Sequence, residues 1–385
     1  MSKSSDSRVD VLIVGARCAG SATATFLARA GLRVRVIDRA REGTDTLSTH
    51  ALMRGGVRQL ARLGVLDVIA ARTPAVDATV FDYGDAKVRV AIESRDGVDA
   101  LYAPRRTVLD PAIAAAARDA GARVDFETEL VRLLEDDGRV VGAVIRSARG
   151  GEEHVHAEWV IGADGVSSSV ARHTGARTVL RAHRHACVVY GHFEGLDLPA
   201  EYHWIWQPNV AAGVIPTSDG QFCVFASAKA SRRREALADP ERFFFEGFDG
   251  SPEHREALRG ATRLGPWRPW AGRVGYLREA VGPGWALVGD AACFRDPLTA
   301  YGITDALLDA EHVADAMLRG PSALAAYRER REISAAAHLA IADQLASFEW
   351  DGERVRALHG DLSRAMKRDL KSVAGLERPV FAAAS

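Results

Sequence analysis

The chain has 385 residues, of which 47% are hydrophobic and 26% charged, and its formal net charge is −1. This length favours two interleaved domains, and the near-zero charge excludes a basic field for nucleic acid or an anionic membrane. The four cysteines show neither metal-binding spacing nor a disulfide framework, and no apolar run approaches the roughly 18 residues of a membrane span. The polar leader is too short for a secretion signal. We therefore expect a cytoplasmic α/β protein without a bound metal ion, a nucleic-acid partner or a membrane span.

The first 38 residues predict a strand, a helix and a second strand. An apolar run ends at Gly15, small residues continue to Gly31, and the next apolar run ends at Asp38. In a dinucleotide site of this kind, pyrophosphate lies on the helix N-terminus and the carboxylate binds ribose. Arg17 replaces the usual second glycine, so its side chain must point outward or pair with phosphate. A purely structural βαβ unit is the alternative. The predicted nucleotide contacts are Gly15, Arg17, Cys18, Ala19, Gly20, Asp38 and Arg39.

The middle of the chain predicts a second, antiparallel domain. Two β-branched or aromatic runs, 78–83 and 87–92, flank Gly84-Asp85, which is typical of a hairpin. Aromatic residues are densest in the later strand candidates, which could form a wall over a ligand cavity or be ordinary half-buried strands. These candidates are 187–193, 203–206, 210–215 and 221–227. The proline-containing segment 265–274 is predicted to cross back to the first domain, and helices are predicted from 321 to about 371.

The stretch 285–311 organises the rest of the chain. It predicts a short apolar strand, a turn at Gly289-Asp290, a loop stiffened by Pro297, and a helix that begins near Gly302. The start of such a helix offers unpaired N–H groups and a partial positive charge. It would stabilise negative charge on one edge of a flat, electron-accepting ring.

Three separated segments, 15–38, 164–165 and 289–302, together resemble a known family. Gly289-Asp290, Pro297 and Gly302 resemble the second flavin-binding motif of aromatic-hydroxylase-type (group A) FAD-dependent monooxygenases, and Asp164-Gly165 resembles that family's Asp-Gly motif. Ala171 occupies the arginine position of the latter motif, and Arg172 comes one place late. The segment 296–303 is also similar to geranylgeranyl-reductase-like FAD-dependent oxidoreductases.

The resemblance implies FAD and a discontinuous architecture. A Rossmann-like, p-hydroxybenzoate-hydroxylase-like FAD-binding domain would be interleaved with an antiparallel β-sheet substrate domain and followed by C-terminal helices. The implied limits are 1–75, 104–180 and 275–320 for the FAD-binding domain, 76–103 and 181–274 for the substrate domain, and 321–385 for the helical region.

The resemblance also implies roles for individual residues. The loop before the 57–64 helix would pass close to the flavin, so His50 and Arg54 would face the active site; a backbone-bonded core histidine is the alternative for His50. Arg106, three residues before Leu109-Asp110, would lie along the flavin, whereas a merely solvated cation at a helix start would be unfavourable. The further implied cofactor contacts are Leu130, Asp164, Asp290, Pro297, Ala300, Tyr301, Gly302 and Ile303.

The implied activity is hydroxylation of an aromatic or polyketide-like molecule through a flavin C4a-hydroperoxide, with NADH or NADPH as a transient reductant. Pro297 would shape the oxygen pocket, and His50, His192 or Tyr190 would deprotonate a phenolic substrate. A reductase of isoprenoid double bonds is the main alternative. The segment Trp204-Ile205-Trp206-Gln207-Pro208 suggests a halogenase. However, this chain lacks the isoleucine that precedes the proline in the halogenase motif, and it lacks the expected lysine. A non-catalytic flavin-binding scaffold is the last alternative, and the chain could be a monomer or a homodimer.

Overall fold

The computed structural model describes residues 5–148 and 150–376, which form strands, helices and short 3-10 turns. In chain order the strands are β1 (Ser5–Val14), β2 (Val34–Ile37), β3 (Ala78–Asp82), β4 (Lys87–Ala91), β5 (Arg123–Asp125), β6 (Thr128–Asp136), β7 (Arg139–Ser147), β8 (Glu152–Gly162), β9 (Thr178–Arg181), β10 (Ala186–Glu194), β11 (Tyr202–Gln207), β12 (Val210–Pro216), β13 (Phe222–Lys229), β14 (Thr262–Trp270), β15 (Tyr276–Arg278), β16 (Val281–Gly282), β17 (Trp285–Leu287) and β18 (Cys293–Phe294). The helices are α1 (Cys18–Arg29), α2 (Arg54–Leu63), α3 (Leu66–Ala70), α4 (Arg106–Asp119), α5 (Ser169–His173), α6 (Arg233–Ala238), α7 (Pro240–Glu246), α8 (Pro252–Gly260), α9 (Gly302–Arg319), α10 (Pro321–Leu345) and α11 (Gly352–Ala374).

The first sheet has the order β16-β17-β8-β1-β2-β5, and its strands from β17 to β5 are parallel. Leu12 and Ile13 are fully buried, because elements cover both faces of such a sheet, and this explains the continuous apolar run of β1. The carboxyl ends of β1, β8 and β17 bring Gly15, Asp164 and Gly289 to one edge. Ligands bind at this edge of parallel sheets.

The second sheet has the order β14-β10-β13-β12-β11-β3-β4 and is antiparallel except where β11 meets β3. Its side chains alternate between two packing environments, as expected for a sheet covered on both faces. Tyr190 and Phe225 point into the core shared with the first sheet. Val189 and Val224 pack with Phe244 of α7 on the opposite face. The fold is thus the mixed α/β architecture that the sequence predicts, with parallel and antiparallel sheets followed by helices.

One strand differs from the sequence-based expectation. The segment predicted to cross back at 265–274 instead belongs largely to β14, which pairs with β10 and forms the edge of the second sheet. Pro266 and Pro269 disguise it, because proline cannot donate to a ladder and is therefore confined to edge strands and bulges. The strand places Arg268 opposite Tyr190.

Buried polar contacts join the C-terminal helices to α9. Arg331 of α10 donates two hydrogen bonds of 2.7 Å to Asp305, and Tyr327 donates one of 2.8 Å to Asp309. Tyr301, just before α9, stacks on His338 with ring centroids 4.7 Å apart. Among the helices of the described chain, none combines the length and apolar character needed to cross a membrane.

Candidate functional site

The first glycine loop is built for close approach of backbone to backbone. Gly15 has φ +109°, and a Cβ there would lie 2.4 Å from the carbonyl oxygen of Ala163. A Cβ on Gly20 would lie 1.8 Å from the carbonyl oxygen of Gly15. The first turn of α1 receives no side-chain cap from Arg17, so its N–H groups remain available to an anion.

The side chain of Arg17 suits a phosphate partner. Among the residues that the structure describes, its half-buried guanidinium makes neither a hydrogen bond nor an ion pair, although it lies at the start of α1. The guanidinium of Arg17 is therefore free to pair directly with pyrophosphate, which is one of the two ways in which arginine can replace glycine here.

Asp38 orders the loop from the end of β2. One carboxylate oxygen accepts the N–H of Ala16 and the other accepts that of Ala40, each at 2.8 Å. Each oxygen keeps a lone pair for a ribose hydroxyl. Arg39 beside it is exposed, and Leu130 of β6 is half-buried against the main core. These positions are compatible with the predicted nucleotide contacts.

Arg106 lies beside the start of α1. Its Nε donates to Asp110 at 2.9 Å, and the Cys18 thiol donates to the same carboxylate oxygen at 3.1 Å. Burial alone would lower the pKa of Arg106, but the neighbouring Asp110, Cys18 and Asp290 raise it. Arg106 is therefore a fixed cation between the two segments that the sequence assigns to the flavin.

The second flavin segment meets the first at Gly289. This residue has φ +57°, and a Cβ there would lie 3.1 Å from Ala19 and 3.3 Å from Ala306, so α1 and α9 approach closely only because it is glycine. Burial raises the pKa of the adjacent Asp290 to about 6. The helices that meet here, α1 and α9, both begin without a side-chain cap.

The loop before α9 has a shape suited to a flat ring. Pro297 begins a 3-10 turn, and Asp296, the residue just before it, accepts the N–H of Leu298 at 3.1 Å. Ala300 follows with φ +48°, a left-handed conformation that costs free energy in a non-glycine residue and is typical of ligand-binding segments. Gly302 and Ile303 then begin α9 with free N–H groups.

Asp164 is the third acidic residue of this edge. Its Oδ2 accepts the backbone N–H and the hydroxyl of Ser169, each at 2.6 Å. Its Oδ1 is buried and has no hydrogen-bond partner within the described part of the chain. A buried unpaired oxygen is costly, and a bound hydroxyl would satisfy it.

Two predicted cofactor contacts are engaged elsewhere. Arg54 donates to the backbone carbonyls of residues 93, 95 and 98 at 2.6 to 2.8 Å, so its guanidinium holds that loop; its predicted contact with the flavin stays a prediction. Tyr301 donates its hydroxyl to Asp369 of α11 at 3.0 Å, which leaves only its backbone for the ring. Both side chains satisfy hydrogen bonds to segments distant in sequence, and the backbone of Tyr301 remains available for the predicted contact.

A pair of histidines lies where the first domain meets the second sheet. The Nε2 atoms of His50 and His192 are 3.0 Å apart, and the two side chains are 1% and 4% exposed. Tyr190 contacts His192 edge-on at 5.8 Å, and its hydroxyl accepts the N–H of Ser48 at 3.1 Å. His50, His192 and Tyr190, the three proton acceptors predicted from the sequence, thus lie together.

Burial keeps these groups uncharged. It lowers the pKa of His50 well below the ordinary value and that of His192 to about 4, and it raises the pKa of Tyr190 to about 12. At neutral pH the pair therefore shares one Nε2 proton between two neutral imidazoles.

Cys223 completes the buried cluster. Its Sγ and one nitrogen of each histidine all lie within 4.8 Å of one another, a donor set that transition metals accept. Sequence spacing did not reveal this grouping, because β10 and β13 bring the residues together only in the sheet. The absence of a metal ion remains a prediction.

A charged group beside the pair was also missed. Asp45 Oδ2 accepts a hydrogen bond from Arg105 at 3.1 Å and another from Arg268 at 3.0 Å. Arg105 also donates to Gln221 at 2.8 Å. These residues come from four separate parts of the chain, so no local motif could have indicated them.

The parallel sheet, its glycine loop, and the convergence of α1 and α9 define a dinucleotide-binding α/β protein with a second, antiparallel sheet over the site. Residues 8–342 match the family described as FAD binding domain. The chain belongs to this family. The match confirms the superfamily of FAD-dependent oxidoreductases that the sequence resembles, together with its FAD cofactor. The uncapped starts of α1 and α9 and the unpaired Asp164 oxygen fit that cofactor.

Characterised relatives differ in activity. The chain is 30% identical to the digeranylgeranylglycerophospholipid reductase of Methanothrix thermoacetophila, over 84% of this chain and 83% of the relative. It is similar in structure to the myxobacterial chondrochloren halogenase CndH (TM-score 0.78, 23% identity, 98% and 92% of the two chains). It is likewise similar to PqsL, a probable FAD-dependent monooxygenase from Pseudomonas aeruginosa (TM-score 0.76, 21% identity, 92% and 100%). Together these similarities support an FAD-dependent oxidoreductase and leave the reaction open.

Proposed function

We propose that this protein is an FAD-dependent monooxygenase that hydroxylates a planar aromatic or polyketide-like molecule, with NADH or NADPH as transient reductant. The observation that carries the proposal is the buried, uncharged His50–His192 pair between the FAD-binding domain and the second sheet. Hydroxylation of a phenol is aided by removal of its proton, and a positioned imidazole is the commonest group for that step.

The proton path follows from the unpaired atoms of the pair. In the tautomer with His50 Nε2–H donating to His192 Nε2, the Nδ1 of His50 carries a lone pair. That Nδ1 is buried without a hydrogen-bond partner among the described residues. It would accept the substrate proton while the shared proton moves to His192. His192 would then carry both ring protons and the positive charge.

The surrounding residues would position the substrate and exclude water. Trp204 and Phe225 line the same buried face of the sheet with ring centroids 6.2 Å apart, and aromatic walls suit a planar molecule. Pro297 would shape the space on the other side. Bound FAD would supply the redox chemistry.

The test is to purify the protein, record its visible spectrum, and follow NADH and NADPH oxidation with a panel of phenols, with and without oxygen. We expect a yellow protein whose oxygen consumption is stimulated by substrate and yields a product heavier by one oxygen atom. Peroxide is assayed in parallel, because reductant oxidation that gives only peroxide would contradict hydroxylation.

Reduction of an isoprenoid carbon–carbon double bond is the second candidate. It is favoured by the 30% identity with the digeranylgeranylglycerophospholipid reductase over most of both chains and by the segment 296–303. Anaerobic incubation of the chemically reduced holoprotein with a polyprenyl compound, followed by mass spectrometry, would then show addition of two hydrogen atoms.

Halogenation and a scaffold role receive less support. The lysines at 87, 229, 367 and 371 are all exposed, and Trp206 of the tryptophan motif packs against Trp350 at 5.7 Å. A chloride- or bromide-dependent product would favour halogenation. A yellow protein that no reductant bleaches would favour the scaffold.

A further inference from the structure

Two arginines share one carboxylate beside the histidine pair. Asp45 lies in the loop that leads to His50, Arg105 precedes α4, and Arg268 lies on β14. Arg105 and Arg268 both contact Asp45 Oδ2, at 3.1 and 3.0 Å. Two cations and one anion leave one net positive charge in this group.

Both arginines of this group have N–H donors that make no hydrogen bond within the described chain. Within the described chain, the contact with Asp45 is the one hydrogen bond that the Arg268 side chain makes, so its other N–H groups are free. Arg105 has a buried Nε without a partner. The side chains of Asp45, Arg105 and Arg268 are 21%, 17% and 29% exposed, so the group is sheltered yet reachable from solvent.

The position of the group relates it to the histidine pair. Arg268 lies directly opposite Tyr190 in the sheet, and the Tyr190 hydroxyl bonds the backbone of Ser48, two residues before His50. The charges of Arg105 and Arg268 also act on His192 and help to lower its pKa. A ligand in contact with His50 is therefore within the electrostatic reach of both guanidinium groups.

We propose that Asp45, Arg105 and Arg268 form an anion-binding subsite, and that the substrate carries a carboxylate or phosphate group that binds there. This inference rests on the proposed function, since it names the class of substrate for the same site. Guanidinium groups bind both anions through paired N–H donors. Asp45 holds the two arginines in place and limits the net charge to one. An anion would neutralise that charge, whereas a neutral ligand would leave it partly buried and uncompensated.

The experiment titrates the holoprotein with matched ligands and follows the visible flavin spectrum. Each hydroxybenzoate is compared with its methyl ester, and phenyl phosphate is compared with phenol. The variants are Arg268→Gln and Arg268→Lys. The control is Arg263→Gln, on the same strand, where Arg263 is exposed and stacks on Trp267 at 4.7 Å. Bound flavin and circular dichroism establish that each variant is folded.

We expect the wild type and Arg263→Gln to bind the charged member of each pair about 10- to 100-fold more tightly, as for hydrogen bonds to an ionised group. Arg268→Gln removes this preference and Arg268→Lys keeps part of it. Tighter binding of carboxylates than of phenyl phosphate identifies a carboxylate as the group that binds the subsite. The reverse order identifies a phosphate. Equal affinity for acid and ester in the wild type, retention of the preference in Arg268→Gln, or no spectral response to any anion overturns the inference.

Failure of the inference is distinguishable from failure of the proposed function. Oxygen-dependent hydroxylation of neutral phenols without an anion preference refutes the subsite alone. An anion preference that depends on Arg268, in a protein without hydroxylation, refutes the monooxygenase alone.

Discussion

His50 and His192 are 142 residues apart in the chain, yet their Nε2 atoms lie 3.0 Å from each other. His50 reaches this position with φ +72°, a conformation that is uncommon outside glycine and costs free energy. The contact joins the loop before α2 to strand β10 of the second sheet. The candidate catalytic centre therefore exists only when this loop is docked against the second sheet.

Replacement of His192 tests the proton path. We expect His192→Asn to retain FAD but to lower the turnover number about 100-fold, the usual scale for loss of a general base or its partner. Turnover is measured by oxygen uptake, and FAD content by absorbance. His203→Asn is the matched control, because His203 and His254 form a second buried pair, 3.0 Å apart, on a different strand and helix. Equal losses in both variants would assign the effect to stability instead of proton transfer.

The stability of the protein should depend on pH through the same residue. Burial lowers the pKa of His192 from 6.5 to about 4. Because the folded-state pKa is lowered, the stabilisation is complete above pH 6.5 and is lost as pH falls through 4. Between pH 7 and pH 4, the wild type should lose roughly 2–3 kcal/mol more free energy of unfolding than His192→Asn. Urea unfolding at pH 7, 5.5 and 4 checks this, and parallel pH profiles for the two proteins would show that His192 is not linked to folding.

The glycine loop should not tolerate a methyl group. A Cβ at position 20 would lie 1.8 Å from the Gly15 carbonyl oxygen. We expect Gly20→Ala to cost about 1–3 kcal/mol of stability, as for overpacking, and to lose most of its bound FAD. Gly260→Ala, where no atom lies within 4 Å of the added Cβ, should change stability by less than about 0.5 kcal/mol. Urea unfolding and the ratio of flavin to protein absorbance give the result, and a fully yellow Gly20→Ala protein would contradict it.

Arg54 and Arg106 should differ in their effect on the cofactor. We expect Arg106→Gln to lower FAD affinity at least about 10-fold, because it removes a cation beside the site and leaves the Asp110 carboxylate without an ionic partner. Arg54→Gln should keep FAD but expose the 93–98 loop to proteases, since three backbone carbonyls lose their donor. Flavin release by ultrafiltration and limited proteolysis measure the two effects. Loss of FAD from Arg54→Gln alone would contradict this expectation and support the flavin contact predicted for Arg54 from sequence.

The buried ion pair of the C-terminal helices should be essential for stability. Arg331→Met leaves Asp305 with one fewer cation and removes two hydrogen bonds of 2.7 Å, which we expect to cost about 3–5 kcal/mol. Arg364→Ala removes the exposed pair with Asp361 and should cost less than about 1 kcal/mol. Denaturant midpoints measure both. A loss below 1 kcal/mol for Arg331→Met would mean that Arg295, which also pairs with Asp305, compensates.

Local patterns were sufficient for the fold class and for the cofactor. The βαβ start with Gly15 and Asp38, the Asp164-Gly165 turn and the Gly289-Asp290 segment each depend on neighbours in sequence, because a strand, a tight turn and a helix start are local structures. Their common edge then follows from the rule that ligands bind at the carboxyl ends of parallel strands. The position of β14 did not follow, because its prolines conceal an edge strand.

By itself the sequence determined that this chain builds an α/β flavoprotein, and it predicted which loops bind the nucleotide. Only the tertiary structure decided that His50 meets His192 and Cys223, that Arg54 bonds the 93–98 loop, and that Asp45 joins Arg105 to Arg268. The physical reason is that side-chain pairing across strands and domains depends on register and docking. A shift of one residue in β10, β13 or β14 would turn His192, Cys223 or Arg268 to the opposite face of the sheet.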